Sequence, residues 1–200
     1  MTIIALTPRG DYAADRVADW GLAALARQTF TNHQGAAITV AVIRAATGSA
    51  KMVFYFGHGQ DDSWIECAGT GFNTPTVKRS ILGIPDANAL GTTVVLAVAC
   101  LSAKGLGPAA VASGAQRFIG FRESLFWYPQ SSRSETAVAQ AVDDLVRVTV
   151  SRGAGVTLAH LKKPLTERIA YFRDLSYRGD AEAVSIAGTL AILADSLTLH

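Results

Sequence analysis

Apolar runs alternate along the chain with stretches whose apolar residues recur at helical spacing. This alternation predicts strands separated by helices. Residues 3–6 form a short apolar run ending at Pro8-Arg9-Gly10, which reads as a buried first strand. Asp11 is placed to cap the helix that follows. Its apolar positions Ala14, Val17, Ala18 and Leu22 share one face, and Gly21 weakens it slightly. Residues 29–32 are polar and read as extended or looped. Residues 36–46 suit a strand by their β-branched members and a helix by length and alanine content. Gly48-Ser49, a stop before the next strand, favours the helix. Met52 to Phe56 is a continuous apolar run, the pattern of a strand buried on both faces, and it ends abruptly at Gly57-His58-Gly59.

Residues 63–76 hold Trp64, Ile65, glycines and a proline, and read as a small hairpin outside the main sheet. Residues 81–90 read as a loop with a short helix. Residues 92–99 are the most strand-like segment, and they run straight into Cys100. A short helix at 109–112 ends at Gly114, and 117–121 is a further strand. Ser132 with Glu135 predicts a capping box for a helix reaching about Arg152 and stopped by Gly153. A helix over 157–174 is expected to kink or restart at Pro164. Asp180 caps a last helix through Ala194, and 197–199 return to the sheet. No segment reads as a linker or a repeat. The pattern predicts a single α/β domain over 1–200, a three-layer sandwich with a mainly parallel central sheet.

Composition narrows the function classes. Of 200 residues, 50% are hydrophobic and 17% charged, enough to bury a core and too apolar for intrinsic disorder. The formal charge is +2 and no basic run exists, so nucleic acid is not expected as a partner. The first apolar stretch lacks a positive flank and is too short for a signal peptide. The apolar stretch 36–43 falls well short of the roughly 20 residues that span a bilayer. The expectation is a soluble cytoplasmic protein with no membrane contact. Two cysteines, Cys67 and Cys100, exclude a disulfide scaffold and leave a structural zinc site short of ligands, so no metal and no cofactor are expected.

In an open parallel sheet, active sites lie beyond the carboxyl ends of the strands. Two predicted strands end in reactive residues, His58 and Cys100, 42 residues apart. If the strands are neighbours, a thiol and an imidazole share one edge, as nucleophile and acid/base partner. Gly57 lets the chain turn as it leaves its strand. Gly59 lets a backbone N–H approach a substrate carbonyl, and with the Cys100 N–H it would form an oxyanion hole.

Val53-Phe54-Tyr55-Phe56-Gly57-His58-Gly59 followed by Val94-Val95-Leu96-Ala97-Val98-Ala99-Cys100-Leu101-Ser102 resembles the caspase-like cysteine peptidases of clan CD. That group includes caspases, metacaspases, separases and CHAT domains. The stretch 110–120, a small helix and a Gly-Ala turn leading into a strand, resembles CHAT domains in particular. The likeness covers about residues 50–122. It implies a caspase-like fold and a cysteine peptidase, a hydrolase with Cys100 as nucleophile and His58 as general acid/base in a Cys-His dyad. Gly59 would lend its N–H. Its partners would be a protein or peptide substrate and a regulatory protein or ligand that activates it. Where many relatives place Gln or Asp two residues before the nucleophile, this chain has Val98. Recognition of a charged P1 residue therefore falls to the loops carrying Asp61, Asp62, Arg122 and Glu123. Three acids against one base favour a basic P1 residue, with Glu123 or Asp61 opposite it; Arg122 facing inward would instead select an acidic P1, and with none of the four inward P1 is uncharged.

Other readings are weaker. Cys67 has no base near it in sequence and reads as a structural thiol. His33, His160 and His200 read as surface residues. Trp64, Trp127 and Tyr128 either wall the cleft or simply pack. A cysteine phosphatase would need arginine six residues after the nucleophile, where Leu106 stands. No phosphate-binding glycine loop exists, since Gly105-x-Gly107 is broken by Pro108. The alternative to a peptidase is a catalytically silent domain of the same fold that binds protein partners.

Overall fold

The computed structural model describes residues 2–68, 76–125 and 131–200. The chain runs β1 (Ile3–Thr7), α1 (Tyr12–Leu25), β2 (Phe30–Gln34), α2 (Val40–Thr47), β3 (Met52–Phe56), β4 (His58–Gly59), β5 (Ser63–Ala68), β6 (Thr76–Gly83) and β7 (Val94–Val98). It continues α3 (Leu106–Ala112), β8 (Arg117–Phe121), α4 (Ser132–Arg152), α5 (Leu158–Tyr177), α6 (Ala181–Ser196) and β9 (Leu197–Leu199). A six-stranded sheet has the order β2-β1-β3-β7-β8-β9. Its pairs are parallel up to β8, and only β9 runs antiparallel. Strands β4, β5 and β6 form a separate antiparallel sheet.

The continuous apolar runs fill both faces of the sheet, as a strand buried on both sides requires. On one face Ala5, Phe54, Phe56, Leu96, Val98 and Ile119 pack against α1, α4, α5 and α6 through residues such as Val17, Leu145, Leu165 and Leu190. On the other, Leu6, Val53, Tyr55, Val95 and Phe118 pack against α2, α3 and the small sheet, with Ile43, Leu106 and Trp64 among their partners. The three layers and the mainly parallel sheet match the expectation from sequence.

Local chemistry explains the departures. The polar stretch near residue 30 is an edge strand, half-exposed and paired only to β1. Helix α2 begins at Val40 rather than near 36, because Thr39 accepts the Val42 N–H at 3.2 Å and fixes the first turn. Residues 35–37 form one 3-10 turn ahead of it. Ser131, not Ser132, caps α4, accepting the Ser134 N–H at 2.9 Å. Glu135 instead accepts from the Tyr12 hydroxyl at 2.7 Å and the Arg16 guanidinium at 3.1 Å, tying α4 to α1. The capping box belongs to α5, where Thr157 and His160 bond reciprocally. Helix α5 continues through Pro164. A proline there forfeits one backbone bond, and the fully buried Leu161 and Leu165 hold both sides of the gap.

Gly21 is a packing requirement rather than a weak point. A Cβ there would lie 2.4 Å from the Phe56 ring. We expect Gly21→Ala to destabilise the fold by about 1–3 kcal/mol through overpacking, despite the better helix propensity of alanine. A rise in the urea midpoint would contradict this. Among the described residues, no helix is long and apolar enough to cross a membrane.

Candidate active site

Strands β3 and β7 are adjacent and parallel, with Phe56 opposite Val98. Their carboxyl ends therefore deliver His58 and Cys100 to the same edge. Both line one small cleft of about 60 Å³, together with Ala13, Val17, Gly57, Val98 and Leu125. Val98, two residues before Cys100, is buried in the cleft lining and gives it no charge.

The turn after β7 is held tightly. Leu101 has φ of 56°, the only positive value among the described non-glycine residues. This left-handed geometry costs a branched residue about 1 kcal/mol or more and is held by surrounding bonds. Leu101 N donates to Glu123 O at 3.3 Å, Ala103 N to Phe121 O at 3.0 Å, and the Ser102 hydroxyl to Ala99 O at 2.9 Å. The chain thus folds back on β8 at once, leaving Cys100 at the bend.

Cys100 is half-buried, and its Sγ accepts the Leu125 N–H at 3.2 Å. Burial pushes its thiol above the ordinary range. The N–H groups of Leu125 and Cys100 and the Ser124 side chain, all of which favour the thiolate, pull it part way back. A raised thiol pKa keeps the proton on at neutral pH, so iodoacetamide labelling of Cys100 should rise with pH to an inflection above that of a free thiol. An inflection below the ordinary value, followed by mass spectrometry, would show an activated resting thiolate instead.

His58 has a partner that the sequence reading assigned only to helix capping. Its Nε2 lies 2.8 Å from Asp11 Oδ2 and 3.0 Å from Oδ1. Asp11 Oδ1 also accepts the Ala14 N–H at 2.9 Å, as the cap of α1. Its side chain is only 4% exposed, so the pair is shielded from water. Among the described residues, no hydrogen bond joins the His58 ring to the Cys100 thiol. With Nε2 held by Asp11, Nδ1 is the ring nitrogen left for other chemistry.

Gly59 has the expected latitude. Gln60 N donates to Ser63 O at 2.8 Å, and Gly59 stands opposite Trp64 in the next pair. Bonded and non-bonded pairs alternate in an antiparallel ladder, so the Gly59 N–H points away from β5. A Cβ on Gly59 would lie 2.3 Å from the Cys100 carbonyl oxygen, so only a glycine lets β4 pass so close to the turn at Cys100.

Cys67 is buried, as a structural thiol is, but it has neighbours that its sequence context does not show. The same small sheet folds it back beside the strand ends, where its Sγ, the Asp11 carboxylate and a His58 ring nitrogen all lie within 4.8 Å of one another. Cys67 is buried, and burial, with the Asp11 and Glu66 carboxylates adding, pushes its thiol up to about 11. Local sequence gave no sign of this. The missing signal was the antiparallel return of β5 along β4.

The four charged candidates for substrate recognition are exposed and lie outside the cleft lining. Asp61 stands 4.0 Å from the Lys104 ammonium, and Asp62 accepts from the Ser63 hydroxyl at 2.9 Å. Arg122 and Glu123 follow the carboxyl end of β8, bonded through their main chains to Ser196 and Leu101. Trp64 is fully buried and stacks on Tyr55 at 4.2 Å, so it belongs to the core rather than the cleft. Trp127 and Tyr128 lie outside the described residues. His160 is half-exposed in its cap, and the His200 ring is half-buried against the Ala103 carbonyl.

The sequence matches no protein-family model and no curated protein. Among solved structures, the chain is similar to the Arg-specific cysteine proteinase gingipain R (RgpB), with a TM-score of 0.51 at 13% identity over 75% of this chain and 36% of that one. It is also similar to the complex of Porphyromonas gingivalis RgpB pro- and mature domains, with a TM-score of 0.57 at 12% identity over 99% of this chain and 46% of that one. The chain therefore has the caspase-like α/β fold of gingipain, and it spans less than half the length of either chain it matches.

Proposed function

We propose that the chain is a cysteine endopeptidase with Cys100 as nucleophile, His58 as general acid/base and Asp11 as the positioning residue behind the imidazole. The observation that carries this reading is one cleft lined by both His58 and Cys100, at the carboxyl ends of adjacent parallel strands, with His58 Nε2 held by a buried carboxylate. Asp11 accepting from Nε2–H fixes the tautomer whose Nδ1 carries the lone pair. Nδ1 takes the proton as Cys100 sulfur bonds to the substrate carbonyl carbon. The resulting oxyanion is met by the N–H groups of Gly59 and Cys100. The C–N bond then breaks, and His58 returns the proton to the leaving amine. Water adds to the thioester, a proton passes to the thiolate, and a carboxylic acid departs. No metal or cofactor takes part.

The resting geometry favours a latent form. The thiol is bonded to Leu125 N–H, its pKa is raised, and the cleft is smaller than a typical substrate pocket of roughly 300 Å³ or more. Activation by a protein partner or ligand would lift residues 124–125 off Cys100. Asp61, Asp62, Arg122 and Glu123 are the side chains on the rimming loops that would then read the substrate. Incubation with a peptide library, with Cys100→Ala as control, tests the reading. Cleavage that the control lacks supports it, and a silent binding domain of this fold would cleave nothing under any condition.

A further inference from the structure

Asp11, His58 and Cys67 bring three different metal-ligating groups to one buried spot from three separate elements. Asp11 comes from the turn before α1, His58 from β4, and Cys67 from β5. Their donor atoms lie within 4.8 Å of one another. In a tetrahedral zinc site the bonds are about 2.0–2.3 Å, which puts neighbouring ligands roughly 3–4 Å apart. Asp11 and His58, at 2.8 Å, are already near that spacing. From the widest separation allowed, 4.8 Å, the sulfur needs to move inward by about 1–2 Å. Gly10 makes the approach possible, since a Cβ there would lie 2.1 Å from the Cys67 carbonyl oxygen. Carboxylate, imidazole and thiolate together suit zinc, and three protein ligands leave a fourth position for water.

We propose that Asp11, His58 and Cys67 form a zinc site that switches the catalytic imidazole off by holding it at Nε2. Zinc replaces the proton shared by His58 Nε2 and Asp11, and Cys67 releases its thiol proton to solvent. A neutral imidazole has a single ring lone pair. With that pair on the metal at Nε2, the ring proton sits on Nδ1. The ring can then no longer accept a proton from Cys100. Metal binding stands independently of the peptidase reading; the loss of turnover rests on it.

Cobalt titration separates the two. Cys67 and Cys100 are the only cysteines, so in Cys100→Ala any thiolate-to-cobalt charge-transfer band must come from Cys67. We expect that band in both wild type and Cys100→Ala at one cobalt per chain, displaced by one zinc. In folded Cys67→Ala the band should vanish, and zinc affinity should fall by more than the ~100-fold that losing an outer-shell partner can cost. A wild-type band that Cys100→Ala abolishes would put the ion on the nucleophile and overturn the proposal. So would a folded Cys100→Ala protein with no thiolate band. If the band appears as expected but no peptide is ever cleaved, the zinc site stands and the peptidase reading fails.

Discussion

Cys100→Ala and His58→Gln are each expected to lower peptide cleavage by about 10⁴-fold or more, and the double variant to be no worse than either single one. Nucleophile and base act as one unit, so losing either member removes nearly the whole effect. The two differ in stability. Cys100 is half-buried, and its main structural bond is the one its sulfur accepts from Leu125 N. Removing it should change the unfolding free energy by no more than about 1 kcal/mol. His58→Ala would take a hydrogen bond from the buried Asp11 carboxylate, and losing such a bond to a charged group costs about 1.5–3 kcal/mol. Glutamine offers Asp11 a replacement N–H and isolates the chemical loss from that penalty. Turnover within tenfold of wild type in either variant would end the dyad mechanism.

The meeting of His58 and Cys100 in one cleft was legible because both residues stand at the ends of unbroken apolar strands, where topology alone brings them together. The same reasoning could have found Asp11. It follows the first strand, which pairs in parallel with β3, so it reaches the same edge. Its capping role is real, yet that role uses Oδ1 and leaves Oδ2 for His58. A residue that satisfies a local rule conceals a second, long-range partner 47 positions away. The surroundings of Cys67 were hidden for a different reason. Its sequence neighbours say nothing about Asp11, which is brought beside it only by the close approach of Gly10. Register errors at Ser131 and Thr39 arose because adjacent polar residues compete for one cap, and only backbone geometry decides between them. Alternation of strand and helix fixed the layers well, since runs buried on both faces admit few other architectures.

Asp11→Asn is expected to lower kcat by about 10²–10⁴-fold while leaving KM and the thermal midpoint close to wild type. The amide oxygen can stand where Oδ1 does and still accept the Ala14 N–H, and asparagine caps helices as well as aspartate. The amide nitrogen then occupies the place of Oδ2, 2.8 Å from His58 Nε2, and presents a donor where an acceptor stood. His58 responds by accepting at Nε2 and carrying its proton on Nδ1. That is the wrong tautomer to take a proton from Cys100, and the equivalent exchange in serine peptidases costs about 10⁴-fold. A merely structural Asp11 predicts the opposite split, with stability altered and kcat intact. Asp11→Ala separates the roles further. It should lose about 1 kcal/mol of capping as well as the activity, so the two variants would share a kcat defect and differ in stability. Were Asp11→Asn to retain wild-type kcat across the pH range, the carboxylate would be a helix cap and nothing more.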